Sequence, residues 1–65
     1  MTLSEKLARN LRKRRGQQTQ EAYARKLGIS RPTLNRLESA TQNTTLTTLE
    51  QITKSLRCDI SELFD

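Results

Sequence analysis

The sequence predicts a compact all-α fold of five short helices, formed by residues 1–65 as a single domain. Apolar residues recur at spacings of three and four, as one face of a helix requires. The chain has only two glycines and one proline, which are too few for the many turns of a β-sandwich or barrel. Its length of 65 residues permits one small core at most.

The first helix is predicted to begin after Thr2 or Ser4, which can cap it, and to end at Gly16. Its last turn is entirely basic, which suits the negative end of the helix dipole. The inward stripe consists of leucines at every fourth position: Leu3, Leu7 and Leu11.

Two short helices are predicted to follow, joined by a tight turn. Thr19 is the expected N-cap of the second helix, and Gly28 is the left-handed residue that ends it. Ser30 caps the third helix, which covers residues 30–39 and accepts Pro32 in its first turn. The residues expected to point inward from these two helices are Tyr23, Ala24, Leu27, Leu34 and Leu37. We expect the hydroxyl of Tyr23 to reach the surface.

A loop over residues 39–45 leads to the fourth helix, which Thr45 can cap. Asp59 and Glu62 form a capping-box pattern that begins a last helix of about one turn. Cys58, between these helices, is expected to be a buried and inert thiol. The apolar residues expected in the core from this half of the chain are Leu46, Leu49, Ile52, Leu56, Ile60, Leu63 and Phe64.

The net charge of +5 is unevenly distributed along the chain. Residues 1–36 have ten Lys and Arg against two acids, a net charge of +8, whereas residues 37–65 have two against five, a net charge of −3. One face is therefore suited to a polyanion and another to solvent or a protein partner. Charge alone does not decide between these uses, because basic runs are commonly just solvated helix faces.

Composition argues against several classes of function. The chain has no histidine and a single cysteine, so neither a zinc site nor a disulfide is expected, and no cofactor is implied. With no paired carboxylates in a cleft and no phosphate-binding glycine loop, we expect no enzyme. We expect a cytoplasmic protein without a membrane segment, because the cysteine usage fits a reducing compartment and no apolar run is long enough to span a bilayer.

The segment QEAYARKLGISRPTLNRLES, residues 20–39, has the small residue, the turn residue and the apolar positions that two crossed helices require. Two helices of about eight residues joined around a glycine cross at roughly 90–120°. Ala24 is small enough for the crossing, Gly28 permits the turn, and Leu34 anchors the second helix of the pair.

This pattern resembles the helix-turn-helix of the Cro/repressor-like (Xre-type) regulators, which have the lambda-repressor-like fold. The resemblance covers roughly residues 5–64 and includes TQEAYARKLGISRPTLNRLES and TLTTLEQITKSLRCDISELF. It implies a transcriptional regulator, with repression as the expected outcome, that binds double-stranded DNA with the third helix in the major groove. The chain departs from the family pattern at Gln18, in a turn one residue longer, and at Ala40 and Thr44, which replace a common glycine and proline.

Carried over residue by residue, the resemblance aligns Arg31, Pro32 and Arg36 with base-reading positions on the third helix. Asn35 lies close beside them and is expected either to read a base, with adenine as its partner, or to contact a phosphate. Arg36 is the preferred base reader, because a guanidinium can donate two hydrogen bonds to guanine. The resemblance implies a phosphate contact at Gln20 and aligns the loop that contains Asn43 with a backbone-contacting region. From their charge or outward position, we expect further phosphate contacts at Lys13, Arg14, Arg15, Thr19 and Ser39. Glu38 is implied to turn inward and to pair with the first helix, through Arg12 or Lys13 depending on the alignment.

Two alternatives stay open. Domains of this family also serve as antitoxins that hold a toxin partner and repress their own operon, and the acidic half of the chain could serve such a partner. RNA binding has less support, because the basic region lacks stacking aromatics. We expect a monomer or weak dimer that pairs on DNA, with Leu46, Thr47 and the fifth helix as candidate contacts.

Overall fold

The computed structural model describes residues 1–41 and 44–65. The four α-helices are α1 (Leu3–Arg15), α2 (Gln20–Leu27), α3 (Arg31–Glu38) and α4 (Leu46–Leu56), and a terminal 3-10 helix covers Ile60–Phe64. No β-strand occurs in these two ranges. The predicted all-α class is therefore confirmed, and the fifth helix is a 3-10 rather than an α-helix.

Each α-helix begins at a hydroxyl side chain that the sequence places there. The hydroxyls of Thr2, Thr19, Ser30 and Thr45 each accept a hydrogen bond from the backbone N–H three residues later. These bonds satisfy amide groups that have no partner within the helix. At Thr2 the cap is reciprocal, because Thr2 N–H donates to the Glu5 carboxylate at 2.8 Å. Hydrogen bonds from Thr2, first from its backbone, lower the pKa of this carboxyl.

The core lies where α1, α2, α3 and α4 meet the terminal 3-10 helix. Leu11, Leu27, Leu34, Ile52 and Leu63 are fully buried, and each belongs to a different element. Packing of α1 against α3 and of α2 against both α3 and α4 brings these side chains together. Every element thus contributes to one shared core, as a domain of this size requires.

Three apolar residues expected in the core are exposed instead. Leu3, Leu46 and Ile60 have exposed fractions of 65%, 74% and 46%. Leu3 and Leu46 are the first residues of α1 and α4, and Ile60 is the first residue of the 3-10 helix. Periodicity places them on the inward stripe, but each of the three, as the first residue of its element, is left uncovered by the neighbouring helices.

Tyr23 differs from the sequence expectation in the position of its hydroxyl. The residue is only 1% exposed, and its hydroxyl is buried without a hydrogen-bond partner among residues 1–41 and 44–65. A buried hydroxyl without a partner loses its bonds to water and gains none in return. Burial is the main cause that raises the pKa of this phenol, and the charge of Arg14 opposes it.

We expect Tyr23 to make the domain sensitive to alkaline pH. Because the pKa of Tyr23 is higher in the folded protein than its ordinary value of 10.0, unfolding favours ionisation. The stability contribution is therefore complete below the unfolded pKa and is lost as pH rises through the folded pKa. Tyr23 is the only tyrosine and there is no tryptophan, so tyrosinate absorbance reports it alone.

The matched variant is Tyr23→Phe, which keeps the ring and removes the hydroxyl. Its free energy of unfolding at neutral pH should be about 1 kcal/mol higher than that of the parent, because no unsatisfied hydroxyl remains. Above pH 10 its free energy of unfolding should fall less steeply than that of the parent. An equal alkaline slope in urea titrations, or an unshifted absorbance titration, would contradict the buried hydroxyl.

Candidate nucleic-acid interface

The turn between α2 and α3 depends on Gly28. This residue has φ +75° and ψ +27°, in the left-handed region, and its N–H donates to the last turn of α2. Ile29 N–H then donates to the carbonyl of Ala24 at 3.0 Å. From α4, Gln51 Nε2 and Ser55 Oγ both donate to the carbonyl of Leu27, at 3.2 and 3.0 Å. The end of α2 is thus bonded both to the turn and to α4.

α3 divides sharply into an inner and an outer face. Leu34, Leu37 and Glu38 are buried, whereas the four predicted base-reading side chains are exposed: Arg31, Pro32, Asn35 and Arg36. Pro32 lies in the first turn, after the Ser30 cap, where the helix needs no N–H from it. The inner leucines therefore hold a short, well-capped helix with two arginines directed outward.

The start of α2 and the outer face of α3 form the sides of a shallow, open depression. Its lining residues are Gln20, Arg31, Pro32 and Asn35. Gln20 and three of the predicted base readers are thus neighbours in space, although α2 and α3 are separate elements.

Glu38 turns inward, but the residue that pairs with its carboxylate is neither of the two predicted ones, Arg12 and Lys13. Arg15 Nε donates to both carboxylate oxygens of Glu38, at 3.1 and 2.9 Å. Arg12 instead donates to the main-chain carbonyl of Glu38. Both arginines lie on one face of α1, since they are three residues apart. Arg15, at the end of α1, reaches the carboxylate, while Lys13 is exposed.

Arg15 has a structural contact that the sequence does not predict. The sequence suggests a phosphate contact for this residue, and in the fold its guanidinium bonds to Glu38 and also donates to the carbonyl of Gln18 at 2.8 Å. Its side chain is 24% exposed and that of Glu38 only 3%. The structure therefore uses Arg15 to join α1 to α3.

Gln20 connects this ion pair to the outer face of α3. Its Nε2 donates to Glu38 Oε1 at 3.1 Å and to Asn35 Oδ1 at 3.3 Å. No pattern in the sequence predicts this connection, because Gln20 and Asn35 lie on different helices and no spacing rule relates them. The result is a chain of contacts from Arg15 through Glu38 and Gln20 to Asn35.

The other predicted phosphate contacts lie around this region. Lys13 and Arg14 are exposed near the end of α1, which Glu38 holds beside α3. Thr19 Oγ1 accepts from Ala22 N–H, so its hydroxyl proton is free to serve another partner. The hydroxyl of Ser39 donates to the carbonyl of Asn35 at 2.8 Å and so closes the end of α3. Asn43 lies outside the described residues.

Within residues 1–41 and 44–65, no group of three or more His, Cys, Asp or Glu residues could hold a metal ion. Over the same part of the chain, no helix has both the length and the apolar character needed to cross a membrane.

Comparison with known proteins identifies the family. The family model described as a helix-turn-helix matches residues 9–63, a span that includes α2, α3 and α4 entirely. Neither the curated proteins nor the solved structures contain a match to the chain. Because the family match covers most of the sequence and includes both helices of the motif, the chain belongs to the Cro/C1-type, Xre-like helix-turn-helix family of DNA-binding regulators.

Proposed function

We propose that this domain regulates transcription, as a repressor, by reading the sequence of double-stranded DNA with α3 in the major groove. The observation that supports this best is the division of α3. Its leucines are buried in the core, while Arg31, Pro32, Asn35 and Arg36 are exposed along its outer side. A helix held in this way can enter a groove that is wide enough to admit it.

The chemistry of the exposed residues fits this function. Arg36 and Arg31 can each offer a planar pair of donors to guanine O6 and N7. Pro32 offers an apolar surface to a thymine methyl group. Arg36 is the main base reader in this proposal and Arg31, in the first turn of α3, is the second.

Phosphate contacts would fix the position of α3 without selecting sequence. Lys13 and Arg14, exposed at the end of α1, and Thr19 at the start of α2 are the proposed ligands. The backbone N–H groups in the first turn of α2 add a favourable site for a phosphate oxygen. Affinity should therefore fall steeply with salt, as counterion release requires.

Selection of bound sequences from a random duplex pool tests the function directly. We expect a short enriched motif that contains guanine, and occupancy of that motif should block transcription from an overlapping promoter. If no sequence is enriched beyond what bulk positive charge retains, the domain is not a sequence-specific reader.

Replacing Arg36 with alanine should weaken binding to the selected site by about 1–3 kcal/mol and flatten base preference at one position. Lys13→Ala is the matched control, because it removes an exposed cation that is proposed to contact phosphate alone. It should weaken binding to all DNA sequences alike and reduce the salt dependence of the affinity. Fluorescence anisotropy with matched and scrambled duplexes measures both effects. Unchanged affinity of Arg36→Ala for the selected site would place base reading elsewhere.

We further propose that two copies pair on DNA, with half-sites one helical turn apart. Leu46 and Ile60 are exposed apolar residues, at 74% and 46%, and they support pairing through Leu46, Thr47 and the terminal 3-10 helix. Light scattering should find a monomer or weak dimer in solution and two copies on a palindromic duplex. A tight dimer at sub-micromolar concentration without DNA would contradict pairing on DNA.

A second candidate function is an antitoxin-type module that binds a toxin and regulates its own operon. The same exposed Leu46 and Ile60 favour it, since they lie on the half of the chain with a net charge of −3. A toxin-like reading frame beside the gene, and a stable complex of the two products, would distinguish this function from regulation alone.

A further inference from the structure

We propose that Gln20 is a positioning residue that directs the amide of Asn35 so that its NH2 group faces DNA as a hydrogen-bond donor. This inference rests on the proposed function of α3. It also reassigns Gln20, which the family resemblance implied to be a phosphate ligand, to a role inside the protein.

The buried carboxylate of Glu38 determines the orientation of the amides around it. Glu38 is 4% exposed, and both of its oxygens accept from Arg15 Nε, at 3.1 and 2.9 Å. A carboxylate paired with a guanidinium can only accept hydrogen bonds. Whatever amide lies against Glu38 Oε1 must therefore present its NH2 group there.

That amide is Gln20, and its orientation follows. With Nε2 at 3.1 Å from Glu38 Oε1, the reverse orientation would set two acceptor oxygens against each other. The second hydrogen of the same NH2 group is directed to Asn35 Oδ1 at 3.3 Å. Both donors of Gln20 are then in use, and its remaining Oε1 would repel a phosphate oxygen rather than bind it.

The hydrogen bond from Gln20 determines the orientation of the Asn35 amide in turn. Because Oδ1 accepts from Gln20, the carbonyl end of the amide faces α2 and the Nδ2 end faces away from it. Asn35 is exposed on the outer side of α3 and lines the depression between the helices. It therefore offers a fixed donor to an acceptor of DNA, either on a base edge in the major groove, such as O6 or N7 of guanine, or on a phosphate.

A double-mutant cycle tests the connection. Asn35→Ala removes the donor, and Gln20→Met removes the positioning hydrogen bonds at nearly constant length. Each should weaken binding about threefold to tenfold, the value of one hydrogen bond, and the double variant should lose little more than either one alone. Additive losses would show that Gln20 contacts DNA independently and would overturn the proposal. Gln17→Met, at an exposed neighbouring glutamine, is the matched control and should have no effect.

The source of the acceptor is resolved with modified duplexes. If the NH2 group of Asn35 donates to N7 of guanine, replacing that base with 7-deazaguanine should abolish the difference in affinity between the parent and Asn35→Ala. If it donates to a phosphate, a methylphosphonate at that phosphate should abolish the difference instead. Either result supports the proposed orientation. A loss of affinity when the 6-amino group is removed from an adenine opposite Asn35, a group that only the Asn35 carbonyl could accept from, would overturn it.

A measurement without DNA separates this inference from the proposed function. In the free protein, the side-chain NH2 protons of Gln20 should exchange with solvent more slowly than those of Gln17, and the difference should become smaller in Asn35→Ala, which removes one of the two acceptors of Gln20. Equal exchange in the parent would refute the amide network. Slow exchange in a protein that prefers no duplex would leave the network in place and refute the DNA-reading function instead.

Discussion

Arg15→Ala is expected to lower the free energy of unfolding by about 3 kcal/mol, because it leaves the buried Glu38 carboxylate without its cation. Breaking a buried pair costs roughly 3–5 kcal/mol, and the partial exposure of Arg15 puts the effect at the lower end. A domain of this length has a total stability of only about 3–10 kcal/mol. The variant should therefore be largely unfolded at moderate urea concentrations that the parent tolerates.

The neighbouring residue provides the control for this prediction. Arg14 is exposed, so Arg14→Ala removes the same charge with a change within about 0.5 kcal/mol. The double variant Arg15→Met with Glu38→Leu should recover most of the stability, because it removes both charges together. Urea unfolding followed by circular dichroism measures all of these variants. If Arg15→Ala were as stable as Arg14→Ala, the ion pair would have no structural role.

The single variant Gly28→Val is also expected to lower the free energy of unfolding, by about 3 kcal/mol, because of the backbone conformation of the turn. At φ +75° a β-branched residue is strongly disfavoured, and such strain costs on the order of 1–3 kcal/mol. A Cβ there would also lie 2.5 Å from Gln51 Nε2. Gln51 can move away at small cost, because its side chain is flexible and the Leu27 carbonyl still accepts from Ser55.

Gly28→Asn separates these two causes. Asparagine introduces the same Cβ but adopts the left-handed conformation far more readily than valine. We expect Gly28→Asn to cost about 1 kcal/mol, clearly less than valine. Thermal unfolding of the three proteins gives the comparison. Equal losses for valine and asparagine would mean that the space beside Gln51, rather than the backbone, demands glycine at this position.

The starts of the helices were predictable because their determinants are local. Thr19, Ser30 and Thr45 cap through hydrogen bonds to residues three positions away, and such contacts are visible in sequence. The end of α2 was equally visible, since Gly28 is the residue that the left-handed turn favours. The division of α3 into an apolar and a charged side followed from helical periodicity alone.

Contacts between elements were less predictable. The choice of Arg15 over Arg12 for the Glu38 carboxylate depends on where α1 ends relative to α3, and no local pattern encodes that distance. The Gln20 contact with Asn35 depends likewise on the crossing of α2 and α3. Burial of the first residue of a helix depends on whether a neighbour extends that far, which is why Leu46 was misplaced.

Two helices in this domain are followed by a non-glycine residue in the left-handed backbone conformation, which is unfavourable for a residue with a Cβ. Ala40 after α3 and Arg57 after α4 have φ of +57° and +54°, where a glycine would relieve the clash with Cβ. Neither is among the proposed DNA contacts. A glycine at Arg57, which ends α4 and lies outside the proposed recognition helix, should therefore raise the thermal stability without altering the choice of DNA, so that these two properties can change independently in evolution.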